Sequence, residues 1–292
     1  MITNVSKLPQ SAIEQTGDFI FRNFTFADNS IIQHSTAEQV NRFLQKEASS
    51  WSILAAEHPL AIFNMDLNEK HANLENFSVV KDNVCPLTDV VTALRTDLQK
   101  MGATEITAKV PKSMVPQFVA HGFKETEELV RFAGPPVETK MMPLLRLSNV
   151  TEKEVHVLAK LLHDAYSTRA GKRFSDTEQA EALLRGIVHG DRGRFISEAS
   201  FLSGSPLNYV SASLVTVNSA SEASVVELFT HPLYRARGLA TTELAAGMNW
   251  LVKNKVKSVQ AWIPSSNDIA CRLFSKMGLH ENSRVIRIEA KN

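Results

Sequence analysis

The sequence predicts an α/β protein built as two halves with the same order of elements. Three observations predict it. Short apolar runs rich in Val, Ile, Phe and Trp alternate along the chain with segments of helical periodicity. Gly134-Pro135-Pro136, followed by residues 137–140, interrupts that alternation near the middle and marks a domain boundary. Phe118 and Gly122 in the first half recur with the same spacing as Phe274 and Gly278 in the second.

The boundary divides the chain into residues 1–140 and 141–292. A chain of 292 residues is comfortable for two such domains. In the first, 51–57, 60–67 and 74–80 read as strands, 88–101 as a helix and 105–110 as a strand; a short helical segment then ends at Gly122-Phe123. In the second, 142–147 reads as a strand. Thr151 then caps a helix with Glu154 completing a capping box, and Val155, Leu158, Leu161, Leu162 and Ala165 recur at helical spacing. Ser175-Asp176 opens a further helix running to about residue 189. Strands are expected at 195–201, 208–217 and 224–230, then a helix, a strand at 258–263, a helix at 268–277 and a last strand at 285–290. Asn267 is placed to cap the 268–277 helix and Gly278 to stop it.

Composition narrows the partners. Hydrophobic residues at 43% and charged residues at 22% are typical of soluble globular proteins. A formal net charge of +1 builds no field of one sign, so neither nucleic acid nor an anionic membrane is expected as a partner. No apolar run approaches the ~20 residues needed to span a bilayer, and the N-terminus has no signal-peptide pattern; the expected location is cytoplasmic. Cys85 and Cys271 are the only cysteines, too few for a disulfide framework or a metal-ligand spacing. No metal is expected.

The most specific stretch is Leu228-Phe229-Thr230-His231-Pro232-Leu233-Tyr234-Arg235-Ala236-Arg237-Gly238-Leu239-Ala240-Thr241. An apolar run stops at a proline, a basic turn with one glycine follows, and a helix-forming segment begins. Backbone amides of the turn and the first helical turn converge there, with the positive end of the helix dipole behind them. Gly238 has no Cβ where the chain bends sharply or approaches a ligand, and Arg235 and Arg237 carry donors suited to phosphate oxygens. The pattern points to an anionic ligand, most simply a pyrophosphate. It is neither a P-loop nor a dinucleotide fingerprint.

Arg235-Ala236-Arg237-Gly238-Leu239-Ala240 resembles the acyl-CoA pyrophosphate loop of the GNAT N-acetyltransferase superfamily: Gln or Arg, two residues, Gly, one residue, Gly or Ala. Downstream, Asn267, Ala270, Leu273, Phe274, Gly278 and Leu279 fill the places of that family's second motif. The resemblance covers residues 141–292 and implies a mixed, mostly antiparallel central sheet flanked by helices. The first half is identified as a degenerate copy of the same plan. Asp82-Asn83-Val84-Cys85-Pro86-Leu87 stands where the loop would be, with no glycine and no arginine, so no CoA is expected there.

The resemblance implies an acetyl-CoA-dependent N-acetyltransferase that transfers directly to a primary amine, with a small-molecule amine as the expected acceptor. By that resemblance, amides of Leu228, Phe229 and Thr230 hold the pantetheine arm, those from Arg237 to Thr241 hold the pyrophosphate, and Asn267 and Phe274 border the same site. Phe274 stands where the family often has a tyrosine that protonates the departing thiolate. A phenyl ring can pack but cannot donate a proton. Two other readings follow from that departure and from the spare half: a catalytically weak acyl-CoA-binding sensor or scaffold, and a protein-directed acetyltransferase that docks through its first domain.

Glu227, on the strand entering the loop, is the candidate general base. Its simpler reading is a strand carboxylate paired with a Lys or Arg. Alternation sets it on the face opposite Leu228 and Thr230, unless a bulge intervenes. Tyr166, at the end of the first helix of the second half, is the candidate substrate contact, beside the basic segment 167–173. His231 reads as a turn residue, and Cys271 as a small core residue rather than an acyl carrier.

Overall fold

The computed structural model describes residues 2–7, 24–25, 50–55, 58–68, 70–80, 86–140, 145–167, 173–206, 208–219 and 222–291. These form two compact units. One comprises residues 1–130, 264–266 and 282–292; the other comprises 131–263 and 267–281.

The first unit contains strands β1 (Ile2–Lys7), β2 (Phe24–Thr25), β3 (Ser50–Ala55), β4 (His58–Asn68) and β5 (His71–Val80), helix α1 (Leu87–Lys100), β6 (Glu105–Val110) and helix α2 (Val115–Ala120). β1, β3, β4 and β5 pair antiparallel in turn, and β5 pairs β6 in parallel. α1 forms because Val90, Val91, Leu94 and Leu98 recur every three or four residues and bury one face. β6 alternates exposed and buried positions with period two. Phe77, Phe118 and Phe123 fill the centre, with ring centroids 5.3 and 5.2 Å apart in edge-to-face contacts.

β7 (Lys124–Gly134) follows and crosses the division between the units at residue 130. The sequence reading assigned no strand there, since Lys124 to Glu128 are polar and the short apolar stretch from Leu129 to Ala133 is interrupted by Arg131.

The second unit continues with β8 (Leu147–Asn149), α3 (Val155–Ser167), α4 (Thr177–His189), β9 (Arg194–Phe195), β10 (Phe201–Ser205), β11 (Asn208–Ser219), β12 (Glu222–Thr230), α5 (Leu239–Lys253), β13 (Ser258–Pro264) and α6 (Asp268–Lys276). β8, β10, β11 and β12 pair antiparallel; β12 pairs β13 in parallel. This is the mixed, mostly antiparallel sheet expected. The capping box at Thr151 and Glu154 is present, with the Glu154 carboxylate 2.9 Å from the Thr151 amide. Asp176 caps α4 by accepting from the Gln179 amide at 2.9 Å. Val155, Leu158, Leu162, Leu184, Ile187 and Phe229 lie in one core on the α3–α4 face of this sheet.

Two expectations are corrected. The single strand expected at 195–201 is two strands, β9 and β10, separated by a 3-10 turn at Ser197–Ala199. The Ser200 hydroxyl accepts from the Val215 amide at 2.9 Å and donates to the Ile196 carbonyl at 2.8 Å, bending the chain between them. The last strand, β14 (His280–Lys291), does not complete the second unit as a boundary at 140/141 implies. From residue 282 it belongs to the first, pairing antiparallel with β6 so that Ile286, Ile288 and Ala290 oppose Val110, Ala108 and Ile106. Ile286, Ile288 and Ala290 are buried in the first unit's core. The strand expected at 142–147 falls partly on residues 141–144, outside the described residues. So do positions 82–85 of the segment expected to lack a phosphate loop.

Candidate acyl-CoA site

The site begins with a parallel strand pair that comes apart. β12 and β13 pair only over Glu222, Ala223 and Ser224 against Ser258, Val259 and Gln260. β12 runs on for six more residues, paired only to β11 among the described residues. The two strands therefore open towards their C-terminal ends. The direction of the amides on this free edge follows from alternation. The His231 amide donates to the Val210 carbonyl of β11 at 2.8 Å, and the Ser211 hydroxyl of β11 donates to the Phe229 carbonyl at 3.1 Å. Residues 229 and 231 thus face β11, so the amides of Leu228 and Thr230 face the opening.

The loop that follows is set by its backbone. Pro232–Tyr234 is a 3-10 turn in which His231 Nδ1 accepts from the Leu233 amide at 3.3 Å, so His231 is the turn residue expected. Ala236 and Gly238 both have positive φ, 59° and 78°. Gly238 is the N-cap of α5, and a Cβ built there meets nothing within 4 Å. The glycine is thus required by its left-handed backbone, and the space it faces is open to a ligand. Beyond it the first amides of α5, from Leu239 to Thr241, have no intrahelical acceptor, and the helix dipole points its positive end at the same space. These features fit a pyrophosphate, which this end of the helix would hold through main-chain amides.

The two arginines are used differently from one another. Arg235 donates to the Ala165 carbonyl at the end of α3 at 2.6 Å and to the Thr230 carbonyl at 3.4 Å, tying the loop to the helix and strand beside it. Arg237 lies over the Tyr234 ring at 5.2 Å and donates to the Leu233 carbonyl at 3.3 Å. Both side chains are exposed, and Arg237, held by one long contact to a carbonyl, is the one better able to turn to a phosphate.

Asn267 caps α6, accepting from the Ala270 amide at 3.3 Å. Phe274 is 3% exposed on the inner side of that helix, its ring 6.5 Å from that of Phe132. Ile269, on the outer side, is 76% exposed. Cys271 is half-buried.

Glu227 is buried and bound on both oxygens by one arginine. Arg173 donates to its Oε1 at 2.6 Å and to its Oε2 at 3.0 Å. The Tyr166 hydroxyl donates to Oε2 at 3.4 Å, and the Arg173 guanidinium lies 4.9 Å from the centre of the Tyr166 ring. Burial disfavours the Arg173 charge, but Glu227 and Tyr166 outweigh it and the pKa moves upward. Of the two readings of Glu227, the paired carboxylate is the one observed, with Arg173 as the partner the sequence left unassigned. Both of its oxygens are engaged by Arg173, and Oε2 by Tyr166 as well, so the geometry is that of a structural ion pair rather than of a base aimed at a substrate. The bulge foreseen on this strand falls one residue earlier. Leu214 opposes Glu227 while Val215 opposes Val225, so Val226 is the extra residue and packs on the same core as Phe229. Glu227 keeps the face expected of it.

One buried acid escaped the sequence reading. Glu243 is 0% exposed in the second turn of α5, within hydrogen-bond reach of Ser211 on β11. The signal was present: at four-residue spacing it continues the stripe of Leu239, Gly247 and Leu251, all buried.

Residues 157–279 match the acetyltransferase (GNAT) family, and the chain carries a domain of that family. No curated protein matches the sequence. Among solved structures, a GCN5-related N-acetyltransferase from Sphaerobacter thermophilus aligns over 98% of this chain and 95% of its own, with a TM-score of 0.69 at 12% identity. A tandem GNAT protein from the clavulanic acid biosynthesis pathway aligns over 100% of this chain and 98% of its own, with a TM-score of 0.65 at 12% identity. At such identities the likeness is one of fold. That fold supports acyl transfer. Among the described residues no helix is long and apolar enough to cross a membrane.

Proposed function

We propose that the chain is an acetyl-CoA-dependent N-acetyltransferase, moving an acetyl group directly to a primary amine at the open edge of β12. The observation that carries this reading is the early separation of β12 from β13, which leaves the amides of Leu228 and Thr230 unpaired and aimed into the opening. The glycine-capped start of α5 lies just beyond. An extended pantetheine arm fits such an edge as an added strand would, and one of the freed amides can stabilise negative charge on a thioester oxygen as the amine attacks. The nitrogen lone pair forms the new C–N bond while the C–S bond breaks and the sulfur leaves as thiolate. The acceptor is a small amine; the proton it loses passes to water, since Glu227 is committed to Arg173.

A second reading, a catalytically weak acyl-CoA sensor, is favoured by two observations together. Phe274 offers no proton, and the buried carboxylate on the strand entering the loop is locked in an ion pair. Thiol release from acetyl-CoA by the full chain, measured over amino acids, polyamines, aminoglycosides and peptides, separates the two. Amine-dependent release supports the enzyme. Saturable binding of acetyl-CoA without release from any acceptor supports the sensor, and absence of binding overturns both.

A further inference from the structure

Beneath the open strand edge lies a chain of oxygens that the reading above does not use. Glu243 Oε2 is 2.8 Å from Ser211 Oγ. Ser211 Oγ is 2.8 Å from Thr230 Oγ1 and donates to the Phe229 carbonyl at 3.1 Å. The contacts run from the second turn of α5, through β11, to the last two residues of β12.

Counting protons shows how the chain can be ordered. A serine hydroxyl has one proton to give and two lone pairs to accept with. Ser211 has three partners. Its proton has two acceptors within reach, the Phe229 carbonyl and Glu243 Oε2, and Thr230 can donate to it. Glu243 can donate to Ser211 only as the neutral acid, and in that form the Ser211 proton goes to the Phe229 carbonyl. As a carboxylate Glu243 draws that proton to itself, and the carbonyl keeps only its ladder partner on β11, where Ala212 opposes Phe229. The surroundings favour the neutral form. Burial pushes the Glu243 carboxyl up to about 8, and the groups that pull the other way are the hydroxyls of Ser203 on β10 and Ser211 on β11, neither of which carries a charge.

We propose that Glu243 is a positioning residue for acyl-CoA, acting through Ser211 to hold the Phe229 carbonyl and the Thr230 hydroxyl, so that the outward amides of Leu228 and Thr230 keep their aim. The inference rests on the acyl-CoA reading of the opening and adds a residue to it. Glu243 touches neither the thioester nor the amine. It fixes the strand end that does.

The test uses the full chain, titrated with acetyl-CoA by calorimetry at pH 7 and pH 9, with thermal unfolding followed alongside. The parent is compared with Glu243→Gln, Glu243→Leu and Ser211→Ala. Gln donates from its amide and cannot ionise, so Glu243→Gln should bind as the parent does at pH 7. The Glu243→Leu and Ser211→Ala variants lack the link and should bind roughly fivefold to tenfold more weakly at both pH values. The parent should lose affinity between pH 7 and pH 9 as the acid ionises, and Glu243→Gln should not. Where an amine substrate is found, KM for acetyl-CoA should move and kcat should follow it little. Unchanged affinity in Glu243→Leu, or parallel losses with pH in the parent and Glu243→Gln, would overturn the proposal. If Glu243→Leu fails to fold, the pH comparison with Glu243→Gln decides alone. No acetyl-CoA binding by the parent at any pH would overturn the reading of the site, and this inference with it.

Discussion

The two units contain the same strand device and finish it differently. In each, a parallel pair holds together for only a few residues: His71 to Leu74 against Glu105 to Ala108 in the first, Glu222 to Ser224 against Ser258 to Gln260 in the second. In each, the leading strand runs on past the pairing. In the second unit, β12 continues with its β13-facing edge unpaired among the described residues. In the first, β5 continues to Val80 with β4 on one edge and β2 on the other: Val79 opposes Ala61 on β4 and Thr25 on β2, and Val80 opposes Phe24. The edge that one unit leaves open the other fills with its own chain. A strand edge accepts a single partner, so a bound arm and β2 cannot share it. The helices that follow differ in the same sense. α1 begins after Pro86 with an ordinary φ of −56°, whereas α5 begins after Gly238 at φ 78°. The fifth residue of α1 is Val91, wholly buried and apolar; the fifth of α5 is Glu243. On the proposed reading, the shared arrangement becomes a site only where the edge, the cap and the polar support are all present.

The sharpest way to break this comparison is to count sites. Calorimetric titration of the full chain should give a single acetyl-CoA site, and Gly238→Val should remove it by forcing a β-branched residue into a left-handed backbone, at a cost of about 1–3 kcal/mol concentrated at the binding loop. That corresponds to a tenfold to hundredfold loss of affinity. A second site, or a folded Gly238→Val protein with parental affinity, would show that the first unit's edge is available or that the loop is only a turn. The full chain is the proper sample, because residues 282–292 belong to the first unit and a cut at 140/141 would remove them.

Replacing Glu243 by Leu gives α5 the apolar character that α1 has at Val91, and its effect on stability has a definite sign. The folded acid titrates at about 8, above the ordinary carboxylate range. Its favourable contribution is therefore complete below about pH 4, declines as the unfolded chain ionises, and is gone above pH 8. Glu243→Leu should be more stable than the parent at pH 8 by about 2–4 kcal/mol, and the gap should narrow towards pH 4. Equal unfolding midpoints at both pH values would show that Glu243 is not held neutral.

A smaller effect is expected at the α3–β12 face. Glu227→Gln leaves Arg173 without its carboxylate. Since the Arg173 side chain is 36% exposed, the loss should be discounted to about 1–2 kcal/mol. Activity should fall modestly with an unchanged pH profile. A drop of ~10²-fold or more with loss of the acidic limb would restore Glu227 as the general base.

The smallest effect on turnover separates the two matching phenylalanines. Phe118 is 0% exposed between Phe77 and Phe123, so Phe118→Tyr should cost about 1–3 kcal/mol in stability through an unpaired hydroxyl and leave turnover alone. Phe274→Tyr, at the position where the GNAT motif often has a tyrosine, should leave affinity nearly unchanged and raise turnover only if thiolate departure limits it. If Phe118→Tyr changed turnover more than Phe274→Tyr, the two units would have exchanged roles.

What the sequence determined by itself was everything carried by short spacings. The positive-φ glycine at the head of α5, the caps at Thr151, Asp176 and Asn267, and the apolar stripes of α1 and α3 each depend on residues within one or two turns of each other, so their pattern is written in order along the chain. The loop at Arg235 to Ala240 was legible for the same reason. Pairing between distant segments was not. Nothing near Glu227 names Arg173 as its partner, and the ion pair exists because α3 and Arg173 come to lie over β12. Nothing in residues 280–291 says that β14 should join β6, since any alternating strand of that length can pair with any free edge. The opening itself is tertiary. β5 and β12 read alike as strands, and only the three-dimensional arrangement decides which edge is filled and which is left free, because hydrogen bonds between strands are made across space and leave no local trace in the residues that make them.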